Sequence, residues 1–426
     1  MKIFKKICLA FFLAGIVCLS ACKTPERAAE NDVTPKEIYY DIEAVKVSLS
    51  SSYSAINQQY DPEPFVKLQE EVMAGKVNRI ETIYRLKQIL SGYHIVHLQI
   101  YPIIDWSAEI EIIPLQFCCF SSGYYVAAAD KKYNNYLGWK LKGIGDLSID
   151  EVVDRIAEFS SIETPAGKKY PIESLLRFEE FFYYGLTDNG KIQFTLESKD
   201  GTTQVLKCKP IDYKKASFEL LQSKKLTSFT NRITQTNYGV IGVPEISTLY
   251  LPYTQFGETA EYTLSEWLDD ILKELRSYTY KTIVFDLRYN PGGQFDQMLY
   301  QRFFNTNKEE LEKYNIAVVT TGRTASAACW FTNDILNTFP HVKIFGEETA
   351  QAVFNNTGIR PQVLKKLNCN FSFPINVGVG NFPKLIERST DIYRGIMPDV
   401  EVLEDFESTL NGEDAIYKAI YEYYNK

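Results

Sequence analysis

Histidine and methionine are scarce in this chain, and no long basic run follows its first few residues. The 426 residues include 3 histidines and 4 methionines. A mechanism that needs a histidine base therefore has few candidates. The net charge is −8, whereas a nucleic-acid partner requires a basic surface to bind phosphates. This charge balance argues against nucleic acid as a partner.

Metal-ligand spacings, internal repeats and low-complexity tracts are also missing. The cysteines after Cys22 form neither a CxxC pair nor a Cys/His pattern, so we predict no metal site and no cofactor. Those cysteines are Cys118, Cys119, Cys208, Cys329 and Cys369. Buried free thiols are the simplest interpretation, although an oxidising compartment would permit a disulfide.

The N-terminus has the pattern of an export signal. Three lysines precede a short apolar run, and Leu19-Ser20-Ala21-Cys22 then matches the bacterial lipobox. The run is shorter than a membrane-spanning helix needs. We expect residues 1–22 to be removed, Cys22 to carry a lipid anchor, and residues 23–36 to form a tether. The expected location is the cell envelope, facing the periplasm or on the outer-membrane surface. A plain secretory signal is the alternative.

The remaining sequence divides into three regions. Apolar residues recur at helical spacing over residues 37–100, which end in a predicted strand from Ile95 to Ile100. Residues 101–215 contain several strand patterns and a hairpin turn at Asp200-Gly201. Strands and helices alternate over residues 216–426, which predicts an α/β fold with a mostly parallel sheet. A chain of this length is expected to form two or three domains.

Four short motifs in the last region bear on chemistry. A buried strand from Thr282 leads into Asp286-Leu-Arg-Tyr-Asn-Pro-Gly-Gly293, and a second strand leads into Thr324-Ala-Ser-Ala327 at the start of a helix. Gly346-Glu-Glu-Thr349 and Gly395-Ile-Met-Pro-Asp399 follow. Each motif alone has an ordinary interpretation: Pro-Gly-Gly is a common turn, and Ser326 could be a helix N-cap.

In this order and spacing, the motifs resemble those of the C-terminal-processing (tail-specific, tricorn-core-like) serine peptidases. The resemblance is strong over residues 238–402. Residues 138–153 resemble the family's PDZ-like unit, and the N-terminal helices its cap. The resemblance implies a ClpP/crotonase-like α/β core, with an N-terminal helical cap and a PDZ-like β-rich unit. It also implies a serine endopeptidase that forms an acyl-enzyme on peptide or protein substrates.

The same resemblance implies roles for individual residues. Ser326 would be the nucleophile, and the N–H groups of Ala327 and of the Gly292-Gly293 turn would stabilise the oxyanion. One branch of the family uses a lysine about 25 residues after the serine, but Gln351 and Ala352 stand there in this chain.

The tricorn-like branch uses a histidine after an N-terminal helix. His94 has the expected spacing from Leu90, and we favour it as the base. His97 is the alternative, because two residues three apart on a strand face opposite sides and only one can serve. An ordinary packed histidine also fits His94. Glu387 lies nearest to the place of the family's orienting carboxylate, where an exposed salt-bridge residue is the other interpretation.

Two non-catalytic functions compete with the peptidase. The family's histidine turn is Asp-Gly-His-Thr, whereas here Gly92 and Tyr93 precede His94 and Ile95 follows it. This altered turn and the missing lysine would also fit a catalytically degraded peptide-binding lipoprotein on the same fold. A glycan or small-molecule binder has only the abundance of aromatic residues in its favour.

Overall fold

The computed structural model describes residues 33–52, 59–221, 237–258, 262–353, 355–378, 391 and 393–425. The predicted signal peptide, Cys22 and Glu387 lie outside these ranges. Within them no helix is long and apolar enough to cross a bilayer, and no cluster of acidic, histidine and cysteine side chains could hold a metal ion. The five cysteines after Cys22 all lie in these ranges and are free thiols.

The N-terminal region is a small helical unit that ends in a strand. Its elements are α1 (Pro35–Ser50), α2 (Glu63–Met73), α3 (Arg79–Ser91) and β1 (Gln99–Pro102). Thr34 and Glu37 form a capping box at the start of α1, which satisfies amides that the first turn leaves unpaired. The three helices bury their apolar faces against one another and form one hydrophobic cluster.

The second region is β-rich, with short helices against the sheet. The strands are β2 (Glu111–Ile112), β3 (Leu115–Phe120), β4 (Gly123–Asp130), β5 (Lys140–Ile144), β6 (Leu147–Ser148), β7 (Ile192–Glu197), β8 (Thr203–Cys208), β9 (Ile211–Asp212) and β10 (Phe218–Leu220). The helices are α4 (Ile149–Ala157), α5 (Pro171–Ser174) and α6 (Phe178–Tyr183). The main sheet has the order β10-β4-β5-β7-β8, with β3 on β4 and β6 on β5. The predicted hairpin is β7–β8, and Ser148 caps α4 together with Glu151.

The third region is an α/β unit. Its elements in chain order are β11 (Ile241–Val243), β12 (Thr248–Pro252), α7 (Leu264–Ser277), β13 (Thr282–Asp286), α8 (Gln297–Thr306), α9 (Lys308–Leu311), β14 (Asn315–Thr320), α10 (Ala327–Thr338), β15 (Lys343–Gly346), β16 (Asn355–Leu364), β17 (Cys369–Gly378), β18 (Val400–Glu401), α11 (Phe406–Leu410) and α12 (Ala415–Tyr424). Its central sheet has the order β11-β12-β13-β14-β15-β18 and is parallel from β12 to β18. The predicted α/β fold is therefore confirmed.

A hairpin from the third region joins the helical unit. Strands β16 and β17 pair with each other, and β17 pairs antiparallel with β1, so that Gln99 lies opposite Ser372. Leu364, Phe371 and Phe373 pack into the cluster formed by α1 to α3. The hairpin also anchors the turn before β1, since the Ser372 hydroxyl donates to the carbonyl of His97 at 3.2 Å. The domain boundaries predicted after residues 100 and 215 remain predictions. The pairing of β1 with β17 joins segments that lie on opposite sides of both boundaries.

A buried ionic cluster lies under the end of β13. Arg288 is 5% exposed, and its guanidinium contacts Asp286 at 2.8 Å and Asp414 at 2.9 Å. The hydroxyl of Tyr250 donates to the same Asp286 carboxylate. These contacts fix the direction in which the chain leaves β13 for the Gly292-Gly293 turn.

We expect Arg288→Met to destabilise the fold by about 3–5 kcal/mol, because it leaves buried carboxylates without their cation. The control is Arg276→Met, since Arg276 is 62% exposed in its pair with Glu310 and such pairs contribute about 0–1 kcal/mol. Urea denaturation of both variants measures the two losses. Equal losses would contradict the structural role given to Arg288.

Candidate active site

Ser326 lies at the junction between β14 and α10, in a strained backbone conformation. Its φ is 54° and its ψ is −122°, a region that L residues rarely occupy and that costs about 1–3 kcal/mol. Its hydroxyl makes no capping hydrogen bond to the helix. Ser326 is therefore the N-cap residue of α10 by position, as its place before the helix predicts, but its side chain does not cap the helix. The side chain of Ser326 is half-buried.

The Gly292-Gly293 turn packs directly against Ser326. A Cβ on Gly292, whose φ is 104°, would lie 2.5 Å from the Cβ of Ser326 and 3.0 Å from the amide nitrogen of Ala327. A Cβ on Gly293, whose φ is 136°, would lie 2.0 Å from the carbonyl oxygen of Phe256. Both positions therefore need glycine, on conformational and on steric grounds.

The amides around Ser326 differ in their availability. The Gly292 N–H donates to Oδ1 of the buried Asn290 at 2.9 Å, so it is not free to meet an oxyanion. The prediction that the Gly292 amide stabilises the oxyanion is therefore corrected. Gly292 instead allows the turn to approach Ser326 closely. The amides of Gly293 and Ala327 donate no hydrogen bond within the described ranges. Those two N–H groups can face a negative oxygen beside the serine.

His97, and not His94, lies beside Ser326. Nε2 of His97 is 3.1 Å from Oγ of Ser326, and the side chain is 7% exposed. His94 is exposed, with a φ of 53°, and makes no hydrogen bond to Ser326. The preference for His94 is therefore corrected. The spacing from Leu90 favoured His94, and a strand from Ile95 would have placed His97 inside it, whereas β1 begins at Gln99 and both histidines precede it.

Gln351 contacts both the serine and the histidine. Its Oε1 accepts the backbone N–H of Ser326 at 2.6 Å, and its Nε2 lies 3.3 Å from Nδ1 of His97. The side chain is fully buried. Gln351 stands 25 residues after Ser326. One branch of the family that this chain resembles has a lysine at about that position. The sequence shows Gln351 in place of this lysine, but no sequence pattern assigns the glutamine a role.

A carboxylate from the β-rich region joins the two segments that carry His97 and Gln351. Glu163 accepts the N–H of Val96 and the N–H of Ala352, each at 2.9 Å. Burial raises the pKa of Glu163 to about 7, and the two N–H groups only partly offset that rise. No motif marks this residue, because its partners are backbone groups distant in the sequence.

The raised pKa of Glu163 predicts a pH dependence of stability. The folded state holds this proton up to about pH 7, while an unfolded glutamic acid loses it near 4.5. The contribution of this proton to the stability of the fold is therefore fully present below pH 4.5. As the pH rises from 4.5 to 7, the free energy of unfolding falls by about 3 kcal/mol.

We expect Glu163→Gln to remove this loss, because glutamine does not ionise. The measurement is the difference between wild-type and variant unfolding free energies at pH 5 and pH 8, in which the other titrating groups cancel. A difference that does not change with pH would contradict the assignment.

Comparisons with known proteins bear on the fold and on the family resemblance. The model for peptidase family S41 matches residues 247–302, which run from β12 through the Gly292-Gly293 turn into α8. No curated protein matches the chain.

Two solved structures share the fold across nearly the whole chain. Mature CPAF aligns with a TM-score of 0.64 at 11% identity, over 91% of this chain and 96% of its own. Mature CPAF complexed with lactacystin aligns with a TM-score of 0.63 at 11% identity, over 92% of this chain and 98% of its own. At this identity the likeness shows the fold alone. Together with the family model, it confirms the resemblance to the C-terminal-processing serine peptidases that the motifs predict.

Proposed function

We propose that this chain is a serine endopeptidase that cleaves peptide or protein substrates through an acyl-enzyme. The observation that carries the proposal is the contact between His97 and Ser326, 229 residues apart in sequence and 3.1 Å apart in space. A hydroxyl beside an imidazole is the arrangement that activates a serine nucleophile. The amides of Gly293 and Ala327, which donate to no other group among the described residues, supply the second requirement, a site for the oxyanion.

The chemistry follows from these positions. Oγ of Ser326 attacks the scissile carbonyl carbon while its proton passes to Nε2 of His97. The carbonyl oxygen becomes an oxyanion, which the Gly293 and Ala327 amides stabilise. The carbon–nitrogen bond then breaks, His97 returns the proton to the leaving amine, and an acyl-enzyme remains. Water, deprotonated by His97, hydrolyses this ester and frees Ser326. One oxyanion donor contributes about 3–4 kcal/mol to such a transition state.

The β-rich region is proposed to hold the substrate. Strand β8 lies at one end of its sheet, so an extended peptide can add to that edge through main-chain hydrogen bonds. The competing function, peptide binding without cleavage, would use the same edge. The two functions differ in the reactivity of Ser326.

Labelling with a fluorophosphonate probe tests the peptidase proposal. We expect the folded protein to be labelled, Ser326→Ala to abolish labelling, and His97→Ala to slow it by about 100-fold or more, since a general base contributes about 10²–10⁴-fold. His94→Ala is the matched control and should label at the wild-type rate. A folded wild-type protein that is never labelled would contradict the proposal and favour the binding function.

We further propose that the mature chain is a cell-envelope lipoprotein anchored through Cys22. The support is the lipobox at Leu19–Cys22 after a short apolar run. Expression with an alkyne-tagged fatty acid should label the wild-type protein, and Cys22→Ala should lose the label and the membrane fraction. Labelling that persists in the variant would contradict the anchor site.

A further inference from the structure

The contacts of Gln351 determine which nitrogen of His97 carries a proton. A backbone N–H can only donate, so the atom of Gln351 that meets the Ser326 amide at 2.6 Å must be its oxygen. The other end of the side-chain amide is then an NH₂ group, and it lies 3.3 Å from Nδ1 of His97. An NH₂ group is a donor, so Nδ1 must be the acceptor and carry no proton.

A neutral imidazole carries its single proton on one nitrogen. With Nδ1 unprotonated, the proton is on Nε2, which faces Oγ of Ser326 at 3.1 Å. In that tautomer His97 donates to the serine oxygen and has no lone pair with which to remove the hydroxyl proton. A general base needs the opposite tautomer, with its proton on Nδ1 and held there by an acceptor.

We propose that Gln351 is a positioning residue that favours the Nε2–H tautomer of His97 and so lowers the reactivity of Ser326 in the resting protein. This inference rests on the proposed function, which it deepens by assigning the resting state of the site. Activation then requires His97 to lose the proton on Nε2 to solvent and gain one on Nδ1.

Rotating the side-chain amide of Gln351 does not favour the Nδ1–H tautomer that a general base needs. A turned Gln351 would offer its oxygen to the Nδ1–H of His97, but its NH₂ group would then face the N–H of Ser326. An amide can satisfy only one of these two donors in place, whereas a carboxylate can accept both. Gln351 is fully buried, so water does not compensate for the unsatisfied group. Gln351→Glu is therefore the informative substitution.

The tautomer can be measured directly, because the chain has only 3 histidines. Two-bond ¹H–¹⁵N correlation spectra of the protein labelled with ¹⁵N-histidine distinguish a protonated from an unprotonated nitrogen. A His97→Gln variant assigns the signals. At pH 8 we expect Nε2 of His97 to be protonated and Nδ1 not. A wild-type spectrum with Nδ1 protonated would overturn the proposal, and this measurement does not depend on any variant being active.

The second measurement is the rate of fluorophosphonate labelling of Gln351→Glu. We expect Nδ1 of His97 to become protonated in this variant and labelling to accelerate by about tenfold or more, since the wrong tautomer alone can cost several orders of magnitude. A folded variant that labels no faster would overturn the proposal, because a merely structural glutamine gives no acceleration. If the predicted tautomer is found but neither protein labels, the proposed function fails while the assignment of His97 stands.

Discussion

The close approach of the Gly292-Gly293 turn to Ser326 is the constraint on which the rest of the site depends. The turn leaves β13 and the serine loop leaves β14, two adjacent parallel strands, so both arrive at the same edge of the sheet. Without a Cβ at Gly292, the Gly-Gly turn can pack directly against Ser326 and the amide nitrogen of Ala327. The backbone of Ser326 is strained in this arrangement, and hydrogen bonds of the neighbouring residues maintain its positive φ. The Ala325 amide donates to the Asn290 carbonyl at 3.1 Å, and the Thr324 hydroxyl to the Leu287 carbonyl at 2.7 Å.

One segment of the β-rich region contacts the histidine turn, the Gln351 loop and the serine loop. We call residues 158–173, which run from the end of α4 into α5, the connecting segment. Its Glu163 carboxylate accepts hydrogen bonds from the turn that carries His97 and from the loop that carries Gln351. Its Thr164 hydroxyl donates to the carbonyl of Thr349, in the Gly346–Thr349 motif, at 2.7 Å. At its end Glu173 pairs with Arg323 of the serine loop at 2.7 Å. The geometry of the site is therefore shared between the α/β region and the β-rich region.

The sequence predicted the parts of the site that depend on short-range patterns. Strand β13, the Gly-Gly turn and helix α10 follow from apolar runs and turn residues. The resemblance of the motifs, in their order, to those of the C-terminal-processing serine peptidases implied the core fold and the role of Ser326. The histidine was mispredicted because spacing in the sequence does not report where β1 begins. That point is set by pairing with β17, more than 270 residues away. Glu163 and Gln351 could not be predicted for a similar reason, since each acts on backbone groups or a ring brought near by tertiary contacts.

The central claim is that Ser326 is a nucleophile beside two oxyanion donors. Peptide mapping by mass spectrometry, after reaction of the folded wild-type protein with diisopropyl fluorophosphate, tests it most directly. The account predicts one diisopropylphosphoryl group, located on the peptide that contains Ser326 and absent when the protein is unfolded before reaction. An adduct on another serine or on a tyrosine, with Ser326 unmodified in the folded protein, would contradict it.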